Sequence, residues 1–145
     1  MGQKVNPIGF RLGIVEDWRG NWFAVKKEFR SMLQEDTEIR QYLAKRFPRG
    51  TITAIYIEKI SDRIRIKLHA SKPGIVLGRR GSEINNVRDE LYKMLNKQVS
   101  IDDLEVNPQG QSAQFLADNI ALQLERRMPH RQVIKKTMAL AMQSG

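Results

Sequence analysis

Apolar positions along this 145-residue chain switch between two periods, and the switches mark its elements. Arg63-Ile64-Arg65-Ile66-Lys67-Leu68-His69 alternates strictly. That predicts a half-buried strand with Ile64, Ile66 and Leu68 on one face and Arg63, Arg65, Lys67 and His69 on the other. Thr51 to Ile57, rich in Ile, Thr and Tyr, predicts a strand before it, with a turn over Glu58 to Asp62. Upstream the spacing is helical. Residues 22–34 predict one helix, capped by Asn21, with Phe29, Met32 and Leu33 near one face alongside Trp22 and Val25. Thr37 opens a second helix, with Ile39, Tyr42, Leu43 and Phe47 as its apolar face and Pro48-Arg49-Gly50 as its stop.

Downstream of the alternating strand, Pro73 starts a short helical turn through Leu77. Gly78-Arg79-Arg80-Gly81 follows. Ser82 is then placed to cap a helix running to Asn96, with Ile84, Val87, Leu91 and Met94 as its stripe. Val99 to Val106 predicts a last strand, interrupted by Asp102 and Asp103. Asn107-Pro108-Gln109-Gly110 reads as a turn or linker. Gln111 to Arg127 predicts a long helix with Phe115 or Leu116, Ile120 and Leu124 in register. Met128-Pro129-His130 breaks it, and a final helix presents Ile134, Met138, Ala141 and Met142 as an apolar stripe. Residues 1–20 read as an irregular basic arm, broken by Pro7 and several glycines. Its apolar content argues against plain disorder, so it wants a surface to lie on.

Charge changes the picture. Lys and Arg number 25 against 16 Asp and Glu, for a net charge of +9. A small chain this basic favours a polyanion, either nucleic acid or an anionic membrane. No run is long and apolar enough to span a membrane, and none resembles a signal peptide. Cysteine is absent, which excludes disulfides and cysteine-based zinc sites and fits a reducing compartment. Met1-Gly2 is not followed by Ser or Thr at position 6, so myristoylation is set aside.

The chemistry-bearing stretch is Lys72 to Ile84. Two glycines bracket two arginines, whose forked guanidinium groups suit phosphate. Glycine lets backbone approach a ligand closely, and amides at a helix start attract anions. A G-x-x-G placed this way is how a KH domain clamps the backbone of single-stranded RNA. Taken alone, the motif reads equally well as a helix start with two solvated arginines. Arg126, Arg127, Arg131, Lys135 and Lys136 form a basic run with no acid among them, and Arg131 and Lys135 share a face. The basic face of the alternating strand reads at least as well as a solvated surface, and His69 needs no special role. Trp18 and Trp22 read as packing residues rather than base-stacking ones.

Signs of catalysis are missing. There is no Walker A pattern and no H-E-x-x-H. His69 and His130 lie in unrelated contexts, and Asp102 and Asp103 point to opposite faces of a strand. The chain reads as a non-enzyme with no cofactor, no metal and no small-molecule substrate.

The predicted order of helix, two strands, short helix, G-x-x-G, helix and strand resembles a type-two KH domain, an α+β fold with a three-stranded mixed sheet backed by helices. The detail resembles one family more closely. Met1-Gly2-Gln3-Lys4-Val5 with Pro7, Gly9 and Arg11-Leu12-Gly13-Ile14-Val15 is similar to the start of the bacterial small-subunit ribosomal protein S three family. So are Trp22-Phe23-Ala24, Lys27-Glu28-Phe29, Arg40-Gln41-Tyr42-Leu43, Pro73-Gly74-Ile75-Val76 and Leu124-Glu125-Arg126-Arg127. The resemblance implies an arm at 1–20, an N-terminal helix at 21–36, a KH domain at 37–107 and a basic helical extension at 108–145.

It also implies a structural protein of the small-subunit head, located on the ribosome in the cytoplasm or an organelle. Its partners would be ribosomal RNA, neighbouring head proteins and mRNA, whose channel of arrival it lines. Expected RNA-binding residues are Lys4 and Arg11 on the arm, and Lys72, Gly78, Arg79, Arg80 and Gly81 at the loop. Arg126, Arg127, Arg131, Lys135 and Lys136 complete the set, and Arg131 and Lys135 match family positions that aid mRNA unwinding. Gln132 stands where better-known members have a second arginine. The family's C-terminal domain is expected to be absent, the sequence stopping at Gly145. A free-standing KH regulator of cellular RNA is the competing reading, and the arm argues against it.

Overall fold

The structure, a computed structural model, describes residues 2–106 and 112–143. Its elements are α1 (Pro7–Arg11), β1 (Gly20–Asn21), α2 (Phe29–Arg46), β2 (Ile52–Ile60), β3 (Arg63–Ala70), α3 (Pro73–Leu77), α4 (Ser82–Leu95), β4 (Gln98–Val106), α5 (Ala113–Glu125) and α6 (His130–Gln143). The turn expected over 107–110, the start of the long helix at Gln111 and the stop at Gly145 lie outside the described residues.

β3 behaves as its alternation predicts. Ile64, Ile66, Leu68 and Ala70 are all at most 1% exposed, while Arg63 and Arg65 face solvent. β2 pairs with it antiparallel, Ile57 opposite Ile66, and β4 pairs parallel on its other side, Ile64 opposite Val99. The register shifts between Lys67 and Leu68, so Asp103 is the extra residue of a bulge and the strand runs on through the two aspartates. A short parallel strand, β1, adds a fourth edge to the expected three, in the order β1-β2-β3-β4. The fold is α+β with a mixed sheet.

α2, α3 and α4 cover one face of that sheet. Ile39 and Leu43 from α2, Phe47 just after its end, Val76 from α3, and Val87 and Leu91 from α4 meet the inward side chains of the strands in one cluster. Each fully buried Ile, Leu or Val contributes roughly 1.5–3 kcal/mol relative to exposure. Ile84 and Leu95 pack against the edge of the cluster, whereas Met94, expected in the stripe, is exposed.

Several expectations are corrected. The two helices predicted on either side of residue 36 are one, α2, which begins only at Phe29. Thr37 does not cap; its Oγ1 donates back to the Leu33 carbonyl at 2.9 Å. Gln34 to Glu38 and Asp36 to Arg40 make i,i+4 contacts across the same stretch. Asn21 belongs to β1 rather than to a cap. The arm is not irregular throughout. Asn6 Oδ1 accepts from the amides of Ile8 and Gly9, at 3.0 and 3.2 Å, and Pro7 opens α1.

In α6 the buried residues are Val133 and Thr137; of the predicted stripe, Ala141 is half-buried four residues on from Thr137, while Ile134, Met138 and Met142 are exposed. Trp22 packs, with its ring centroid 5.5 Å from that of Phe29. Trp18 does not, being 62% exposed.

Candidate nucleic-acid interface

The G-x-x-G loop sits between α3 and α4 as a single tight turn, Arg79–Gly81. Its two glycines are required for different reasons. Gly78 has φ 67°, and a Cβ there would fall 2.6 Å from Glu83 Cγ and 3.1 Å from the Glu83 amide nitrogen. Gly81 has φ 77° with open space around it, so conformation alone demands glycine. Arg80 takes a left-handed conformation, φ 55°, at a cost on the order of 1–3 kcal/mol. Arg79 and Arg80 are exposed, and neither makes an ion pair among the described residues.

Gly81, not Ser82, occupies the cap position of α4, and no side chain caps the helix. The Ser82 amide donates to the Arg79 carbonyl within the turn, and the next amides of this 14-residue helix have no side-chain cap, so positive helix-end potential adds to the arginine charge. Glu83 does not oppose that charge freely. Arg46 at the end of α2 holds its carboxylate at 2.8 Å. Lys72 is exposed immediately before α3.

The second basic group lies on the α5–α6 hairpin. Arg126 caps α5, and Arg127 turns the chain with φ 60°. Arg131, Lys135 and Lys136 project from α6, all exposed and without ion pairs among the described residues. α5 is fastened to the sheet-and-helix body by Asp118, which accepts from the Gly50 amide at 3.2 Å, and by Arg49 to Glu125 at 2.7 Å. The structure thus assigns the expected cations to separate elements: loop, hairpin and arm. Lys4 and Arg11 are exposed on the arm, Arg11 donating to the Pro7 carbonyl at 3.2 Å.

The outer face of β3 is more balanced than its sequence suggests. Arg65 meets Asp102 at 3.0 Å, and Lys67 meets Glu58 at 2.9 Å. Acids from β2 and β4 compensate these cations, which favours a solvated, self-paired surface. His69 rests against Tyr56, with ring centroids 4.9 Å apart.

Sequence reasoning missed the residues that tie α2 to the sheet, the arm and α4. Arg40 donates to Asp36 at 2.7 Å, to the Ile55 carbonyl at 2.8 Å and to the Arg19 carbonyl at 3.0 Å, tying α2 to β2 and to the arm. Lys59 points inward, its ammonium donating to the Met32 carbonyl at 2.6 Å and Glu35 at 3.1 Å, and lying 5.3 Å from the Trp22 ring centroid. Lys97 meets the other Glu35 oxygen at 2.5 Å. Burial pushes the Glu35 carboxyl up, but hydrogen bonds from Lys97 and Lys59, with their charges, outweigh burial and hold it below its ordinary 4.5. Tyr42 donates a short hydrogen bond to Glu90, and burial, reinforced by that carboxylate, pushes its phenol up to about 12. Only the helical spacing of Asp36 and Arg40 was visible in the sequence.

The KH domain family matches residues 38–111. Small ribosomal subunit protein uS3 of Desulforamulus reducens is 43% identical over 145 residues, covering 100% of this chain and 66% of that protein. Its counterpart in Persephonella marina is 44% identical over 146 residues, covering 64% of that protein. The chain therefore spans slightly under two-thirds of the length of these curated relatives. It belongs to the KH domain family, and along its whole length it is similar to the N-terminal part of small ribosomal subunit protein uS3.

Proposed function

We propose that this chain is an RNA-binding constituent of the small ribosomal subunit head, structural rather than catalytic. Its loop residues Gly78 to Gly81, with Lys72, grip the sugar–phosphate backbone of RNA. Lys4 and Arg11 lay the arm on ribosomal RNA among neighbouring head proteins. Arg126, Arg127, Arg131, Lys135 and Lys136 present the hairpin to mRNA arriving at the subunit, on the ribosome.

One observation carries this reading. Arg79 and Arg80 stand exposed, without ion pairs among the described residues, on a turn shaped by two positive-φ glycines at the uncapped start of α4. Unpaired cations beside a helix start that no side chain caps favour phosphate. Similarity to proteins named for the small ribosomal subunit supports the choice of RNA. Such contacts position the chain rather than read sequence.

The test is the double variant Arg79→Asp, Arg80→Asp, measured by anisotropy of a labelled single-stranded RNA across a salt series. For about four phosphates the wild-type log–log slope is roughly −3. The variant is expected to lose affinity and flatten the slope while keeping its circular dichroism. Unchanged affinity at low salt would contradict the loop's role.

A further inference from the structure

Away from the loop, the arm and α2 border a depression of about 530 Å³, lined by Trp18, Trp22, Phe29, Asp36 and Arg40 together with Gly20 and Asn21 of β1. Three of those residues are aromatic, and two expose much of their surface: Trp18 is 62% exposed and Phe29 49%. Large aromatic side chains left open in this way are unusual for a surface that has no partner.

The depression also holds an unmatched acceptor and an unmatched donor. Asp36 is 9% exposed. Its Oδ2 accepts from Arg40, while its Oδ1 is buried with no partner. A buried acceptor left unpaired is costly, and native structures rarely tolerate one without a reason. Trp22 Nε1 lies over Gly20, 3.3 Å from where a Cβ would stand, and nothing among the described residues accepts from it. The floor is already electrically balanced, because the Arg40 guanidinium sits on the Asp36 carboxylate at 2.7 Å. An entering cation would meet Arg40 as well as Asp36. A neutral, planar group with an N–H donor beside an acceptor meets neither objection.

We propose that this depression takes an unstacked nucleobase of single-stranded RNA. The base stacks on Trp18, gives an N–H to Asp36 Oδ1 and accepts from Trp22 Nε1. Every base has a donor beside an acceptor on its pairing edge, so stacking and edge contact together favour a base without fixing its identity. Oδ1 is covered in the free protein, so uptake includes a shift of the side chains above it. The site lies on the arm and the first half of α2, not on the Gly78–Gly81 turn, and its occupancy does not depend on the loop reading.

The chain offers its own reporter. Its 2 tryptophans are Trp18 and Trp22, and both line the depression; Trp18 also borders the neighbouring hollow beside Tyr56 and His69, so emission from Trp22 is the signal specific to this site. The experiment titrates the full chain with oligouridylate, with an abasic oligoribose phosphate of equal charge, and with N-acetylarginine amide. Saturable quenching by oligouridylate and not by the other two is expected, and it should survive Arg79→Asp with Arg80→Asp at saturating RNA. Trp18→Ala, read through Trp22, should weaken binding about tenfold. Asp36→Asn, which keeps an oxygen for Arg40 but replaces the free acceptor with a donor, should also weaken it with an unchanged circular dichroism spectrum. Equal quenching by the abasic oligomer, quenching by the arginine amide alone, no saturable quenching, or wild-type affinity in Trp18→Ala would each overturn the proposal.

Discussion

A Cβ on Gly78 would come within 2.6 Å of Glu83 Cγ and 2.9 Å of its Cβ. Glu83 cannot simply swing away, since its backbone nitrogen lies 3.1 Å from the same point and Arg46 holds its carboxylate. The first glycine of the loop is therefore fixed by crowding and the second by conformation alone. Gly78→Ala is expected to destabilise the chain by about 2–4 kcal/mol, and Gly81→Ala by only about 1. Urea unfolding midpoints of the two variants check the order.

Arg40 closes three hydrogen bonds at once, to Asp36, Ile55 and Arg19. Removing it leaves two carbonyls and a mostly buried carboxylate without their donor. Arg40→Ala is expected to cost about 2–4 kcal/mol in urea unfolding. Arg40→Lys should recover little, because an ammonium cannot match a planar fork aimed at three acceptors. Hydrogen exchange should show the amides around Gly20 and Ile57 losing protection first in the alanine variant.

Glu35 sets an acid limit on stability. Its folded value lies below the ordinary 4.5, so the unfolded chain binds the proton more readily. The carboxylate's contribution is full above the ordinary value and is lost as pH falls through the folded one. Wild type should lose stability in that acid window, and Glu35→Gln should lose less across it, as read from urea midpoints at neutral and acid pH.

Tyr42 sets the opposite limit. Its phenol is pushed up to about 12 from 10.0, so its contribution is full below 10.0 and is lost as pH rises toward 12. Ultraviolet absorbance should show one of the 3 tyrosines ionising late, and Tyr42→Phe should remove that late phase. Ionisation of all three together would contradict the Glu90 pairing.

Much of the fold could be read from local pattern. β3 alternates without exception, and α2 buries Ile39 and Leu43, with Phe47 at its C-terminal cap, as the spacing demands. What escaped has physical causes. Thr37 resembles a cap, but inside a helix its hydroxyl bonds backward to Leu33, so one helix read as two. The α6 face was misassigned because Thr137 is buried with its hydroxyl satisfied by the Val133 carbonyl at 2.8 Å, a polar residue hidden where an apolar one was sought. α1 was signalled by Asn6 and Pro7, a cap followed by a proline at the first helical position, and went unread among the surrounding glycines.

The candidate loop was legible as G-x-x-G, but the reasons for its glycines were not. Gly78 depends on Glu83 and, through it, on Arg46, which is 37 residues from Glu83 in sequence. The Arg40 clamp and the pairing of Lys59 and Lys97 with Glu35 are likewise long-range. No local period reports such contacts. They decide how firmly the loop, the arm and the depression between Trp18 and Asp36 are held.

Sedimentation of the tagged chain from a lysate through a high-salt gradient measures the central claim most directly. Co-migration with small ribosomal subunits, weakened by Arg79→Asp with Arg80→Asp, is the predicted result. A chain that runs light while still holding RNA would contradict the ribosomal role and leave a free KH module in its place.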